Sequence, residues 1–79
     1  MLTAAQIRAA RAIVDWSGMQ LATASGLSLP TIRRMESDKG PGRSAAENVV
    51  AVRVALESAG VIFVAEDAVA GPGVRLKRS

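Results

Sequence analysis

The sequence predicts a mainly α-helical domain of four helices closed by a short C-terminal β-hairpin. Three observations predict it. Helix-start patterns recur at Thr3-Ala4-Ala5-Gln6, Ser17-Gly18-Met19-Gln20 and Ser44-Ala45-Ala46-Glu47. In each, the hydroxyl can accept a bond from an unpaired backbone N–H, and the Gln or Glu three residues on can reach back to the cap's own N–H. Apolar residues recur at helical spacing after these starts. Beyond Gly60 the period changes to the β-branched and aromatic run Val61-Ile62-Phe63-Val64.

The first helix is expected from about Ala4 to Asp15, with Ile7, Ala10 and Val14 as its inner stripe. Trp16 then seals the core. The second is expected over about Gly18 to Ala24, with Met19, Leu21 and Ala22 mostly inward and Gly26 as its left-handed stop. Leu27 plugs the turn. The third is expected from Leu29 to about Ser37. Pro30 suits a first helical turn, where its missing N–H loses nothing. Pro30 also restricts Leu29, so either Ser28 or Leu29 can be the cap.

The run Asp38-Lys39-Gly40-Pro41-Gly42-Arg43 reads as a loop. The fourth helix is expected from Ala45 to about Ala59. Val49, Val52, Leu56 and Ala59 make one stripe, and Val50 and Val54 widen it, which predicts burial on two sides. Residues 61–78 then form a hairpin, with Gly71-Pro72-Gly73 as turn and Val74 to Arg78 alternating apolar and basic. Arg75, Lys77 and Arg78 read as a basic frayed tail or an edge-strand guard, with DNA contact as the alternative. A lone hairpin is unstable in water. It must lie on helix 4, pair with another subunit, or both.

At 79 residues the chain makes one domain, residues 1–79. It has no cysteine and no histidine. That removes disulfides, thiolate metal sites, the usual general base and the usual zinc ligand. Neither a metal nor a cofactor is expected, and enzymatic activity is not. The longest apolar stretch, Ala59 to Ala65, is far short of the roughly 20 residues that cross a membrane, so a cytoplasmic protein is expected. Charge is uneven. Residues 1–43 hold Arg8, Arg11, Arg33, Arg34, Lys39 and Arg43 against Asp15, Glu36 and Asp38, so the net +3 belongs to that half. Such clustering suits a phosphate-binding face, and it also suits ordinary solubility.

Residues 17 to 37 carry the most information. Two short helices are joined by a tight turn, with Leu21, Ala22, Leu27, Ile32 and Met35 apolar and Ala22 small where the helices cross. This leaves Leu29, Pro30, Thr31, Arg33 and Arg34 outside, the layout in which a second helix can lie in a major groove. The pattern W-S-x-x-x-L-A-x-x-x-G-L-S-x-x-T-I-x-R-x-E from Trp16 to Glu36 resembles the Xre group of lambda-repressor-like helix-turn-helix regulators of bacteria and phages. The resemblance runs from Leu2 to about Ala59, and the last 20 or so residues resemble a hairpin tail of some small members.

The resemblance implies roles for single positions. Leu29, Pro30, Thr31 and Arg34 would read bases, Arg34 as a bidentate donor to guanine. Ser17, Gly18, Ser28, Arg33, Lys39, Gly40 and Arg43 would hold phosphates, and Arg33 could equally be a solvated residue. Arg11 and Glu36 would form an ion pair between helices 1 and 3. The group commonly has Gln where this chain has Gly18, so a phosphate contact there falls to the backbone. The implied function is sequence-specific double-stranded DNA binding by a homodimeric repressor. The alternative is a protein–protein interaction module or antitoxin that docks a protein partner through the same scaffold and the C-terminal strand.

Overall fold

A hydroxyl one residue ahead of an amphipathic run starts each of the first three helices. In the computed structural model, which describes residues 2–78, these are α1 (Ala4–Ile13), α2 (Gly18–Ser25) and α3 (Leu29–Met35). A short 3₁₀ turn (Pro41–Arg43), α4 (Ala46–Ser58) and the strands β1 (Val61–Val64) and β2 (Gly73–Leu76) follow. The described residues are thus mainly helical with one antiparallel hairpin.

Both expected capping boxes of α1 and α2 form. Thr3 Oγ1 accepts from the Gln6 N–H at 3.1 Å, and Ser17 Oγ from the Gln20 N–H at 3.1 Å. α1 ends at Ile13, two residues before the expected Asp15. There the chain turns back. The Trp16 N–H reaches Arg11 O at 2.9 Å, which puts Asp15 in the left-handed region at φ 58. Asp tolerates that conformation better than most L residues. α2 runs one residue past Ala24, where the Gly26 N–H still reaches Ala22 O and Ser25 Oγ bonds back to Leu21 O at 2.8 Å. Gly26 then takes φ 74 as expected. Met19 does not point inward. It is 57 % exposed, because two residues before Leu21 on a helix is the opposite face.

The cap of α3 is Ser28, whose Oγ accepts from the Thr31 N–H at 3.3 Å. α3 stops at Met35 rather than near Ser37, since Ser37 Oγ caps Arg34 O at 2.6 Å and Gly40 N–H bonds Ser37 O. The third capping box does not form. The Ser44 N–H closes the 3₁₀ turn on Pro41 O at 2.9 Å, so Ser44 stands one residue too early and Ala45 becomes the cap, with no side-chain bond. Ala45 is exposed and extended, ready for a hydroxyl. Ala45→Ser is therefore expected to stabilise the domain by about 1 kcal/mol. Urea unfolding checks this, and an unchanged midpoint would show that the start of α4 does not limit stability.

Ile7, Leu21, Ile32, Met35, Val52 and Leu56 fill the centre of the core. α4 is buried on one side only, because Val50 and Val54 project away from the stripe that meets this core and stay exposed. β1 and β2 pair with Val61 opposite Leu76 and Phe63 opposite Val74. Val61 is buried, and Phe63 and Val74 pack against the core. The hairpin lies on α1 as well as α4. Gln6, 5 % exposed, takes the Thr3 N–H on Oε1 and donates from Nε2 to Val64 O at 3.3 Å and Gly73 O at 3.0 Å. In the loop, the Asp67 carboxylate accepts the Val69 and Ala70 N–H groups, which hold it below the usual carboxylate pKa. Among the described residues no helix is long and apolar enough to cross a membrane.

Candidate nucleic-acid interface

The face built by α2, its turn and α3 rests on one brace. Glu36, directly after α3, receives Arg11 from α1 as a two-point pair, Nε to Oε2 at 2.6 Å and Nη2 to Oε1 at 2.9 Å. The third Arg11 contact is Nη1 to Trp16 O at 2.9 Å, which ties in the chain between α1 and α2. A single guanidinium therefore fixes the end of α3 against the entry to α2. The Glu36 hydrogen bonds raise the Arg11 pKa, against a smaller opposing effect of burial. Arg8 also reaches the Glu36 carbonyl oxygen. Arg8 stays exposed while making this contact. Its spacing from Arg11, three residues along α1, is the signal that both face the same neighbour.

Ile32 and Met35 turn α3 inward and are fully buried. Pro30, Arg33 and Arg34 consequently face solvent. Thr31 is half-buried, and its hydroxyl lies 2.9 Å from Ser28 Oγ. Ser17 and Ser28 are exposed, but both hydroxyls are engaged as helix caps. Lys39 is exposed and Gly40 half-buried in the loop after α3. The side chain of Arg43 lies outside the described residues. The side chains of Arg33, Arg34 and Lys39 make no hydrogen bond or ion pair among the described residues; the ion pairs there are Arg11–Glu36 and Arg53–Glu57.

Leu29 and Gly18 are linked in a way the sequence alone did not reveal. Leu29 is half-buried against the core, and a Cβ on Gly18 would come within 3.1 Å of Leu29 Cδ1. That approach is tighter than ordinary van der Waals contact. Gly18 thus makes room for Leu29, and Leu29 is held against the start of α2 instead of projecting with Pro30. The structure brings Ser17, Gly18, Ser28 and Leu29 together at one end of the face. Arg33, Arg34 and the Lys39 loop follow along α3. No protein-family model and no curated protein matches the chain, so the reading of this face stands on its own chemistry.

Proposed function

We propose that the chain is a sequence-specific DNA-binding transcriptional regulator, a homodimeric repressor that lays α3 in the major groove. The observation that carries this reading is the outward face of α3. Arg33 and Arg34 project from a braced helix with no partner among the described residues, while the acid beside them is consumed by Arg11. Cations left unpaired on a rigid helix suit a polyanion, and a helix with its apolar side buried has the width a major groove admits.

A two-fold dimer would present two copies of α3 about one helical turn, roughly 34 Å, apart. Exposed apolar groups support it: Val50 and Val54 on the outer face of α4, and Ile62 and Val64 on the hairpin. Val50 and Val54 also border a groove of about 600 Å³ beside Trp16. That groove favours the second reading, a module that docks a protein partner.

Fluorescence anisotropy against the promoter DNA beside its own gene, at two salt concentrations and with random duplex as control, separates the two. The expected result is preference for the promoter and a steep loss with salt as counterions are released. Arg34→Ala should weaken promoter binding by about 1–3 kcal/mol without unfolding the exposed helix face. Sedimentation of the same protein should give a dimer, and Val54→Glu a monomer. Absence of any salt-dependent duplex binding would overturn the reading in favour of a docking module.

A further inference from the structure

We infer that the duplex this chain selects carries guanine in each half-site, read by Arg33 and Arg34, and that adenine is not read directly. The inference rests on the reading of α3 as a groove-bound helix and adds which bases that helix can recognise. With Ile32 and Met35 inward, the outward direction of α3 falls near Pro30, and Arg33 and Arg34 flank it by about 50° on either side at 100° per residue. A helix docked by this face brings both guanidinium groups to the floor of the groove.

The groove edges differ in what they ask of a protein. Guanine offers two acceptors, O6 and N7, which a guanidinium matches with two donors. Adenine pairs a donor with an acceptor and is matched by a side-chain amide; cytosine offers a donor and needs an acceptor. The chain has three amides, Gln6, Gln20 and Asn48, and none is on α3. Gln6 is buried under the hairpin, Gln20 Oε1 is taken by the Ser17 N–H at 2.7 Å, and Asn48 lies on α4.

Acceptors do not face outward either. Both Glu36 oxygens bind Arg11, and half-buried Thr31 lies about 100° round the helix from Pro30, beside Ser28 Oγ. Pro30 has an apolar ring and no donor. The outward face of α3 therefore presents donors and apolar surface only, and guanine is the base whose edge accepts twice.

Selection from a pool of random synthetic duplexes tests this, followed by 7-deazaguanine substitution in the enriched sequences. That analogue keeps its base pair but loses the N7 acceptor. Guanine should be fixed at one or two positions per half-site. 7-Deazaguanine there should weaken binding on the order of tenfold, while 7-deazaadenine elsewhere in the half-site should change it by less than about twofold. Arg33→Ala or Arg34→Ala should relax selection at its own position. Enriched duplexes without fixed guanine, or indifferent to 7-deazaguanine, would overturn the inference while leaving DNA binding intact. If no duplex is enriched, the DNA-binding reading falls, and the guanine preference with it.

Discussion

Glu36→Ala is expected to lower the melting temperature of the domain by about 10–15 °C. Glu36 is 11 % exposed and Arg11 24 %, so removing the carboxylate leaves a largely covered guanidinium with only Trp16 O as a partner. Breaking a fully buried pair from one side costs about 3–5 kcal/mol, and an exposed pair is worth less than about 1. The remaining exposure of Arg11 places this pair between those limits, near 2 kcal/mol. A domain of this size has about 4–12 kcal/mol in total, and each kcal/mol moves its midpoint by about 4–8 °C. Arg11→Met combined with Glu36→Leu should recover much of the loss, because no charge is then left unpaired. Thermal melts followed by circular dichroism decide the matter. A drop under about 3 °C would mean that packing alone holds α3 in place.

Gln6 offers the second large effect, and one with a pH signature. Gln6→Leu keeps the volume but strands the Thr3 N–H and removes the donor from Val64 O and Gly73 O. Leaving buried polar groups unmatched should cost about 2–3 kcal/mol. Gln6→Glu keeps the Thr3 bond and turns a carboxylate oxygen toward those two carbonyls. Burial and the facing oxygens raise the folded-state pKa of such a Glu above its unfolded value of about 4.3. The unfolded chain then releases its proton first as pH rises. Stability is highest below about pH 4, falls as pH rises through the unfolded value, and levels off above the folded one. Urea midpoints of Gln6→Glu and of the parent chain at pH 4 and pH 7 check this. A difference between them that does not change with pH would show that the Gln6 site is open to water.

Much of this was legible in local chemistry. Ser17, Gln20 and Gly26 bound α2 because caps and left-handed stops act within a few residues. Arg11 and Glu36 form the expected pair, as the resemblance implied. What the sequence hid is set by the chain's path. Ser44 carries the right side chain for a cap, but the preceding 3₁₀ turn consumes its backbone. Gln6 looked like one half of a capping box, and it also anchors a hairpin some 60 residues away, a contact no local pattern encodes. Leu29 stood with the outward residues until its approach to Gly18 was visible. The base-reading and phosphate roles lie in the outward chemistry of α3 and its loop, and binding experiments decide them.

The Leu29–Gly18 contact divides α3 into a part that belongs to the scaffold and a part that does not. Leu29, Ile32 and Met35 are bound up with the other helices, so an exchange at any of them disturbs the frame. The side chains of Pro30, Arg33 and Arg34 are exposed, and neither arginine is in an ion pair among the described residues. New outward residues could be written onto this helix while the three anchors are kept. Transplanting a whole foreign helix, or placing a long side chain at Gly18, would instead force Leu29 to move. The unit of exchange in this domain is three positions spaced i, i+3 and i+4, and its evolvability is built into the spacing of a single seven-residue helix.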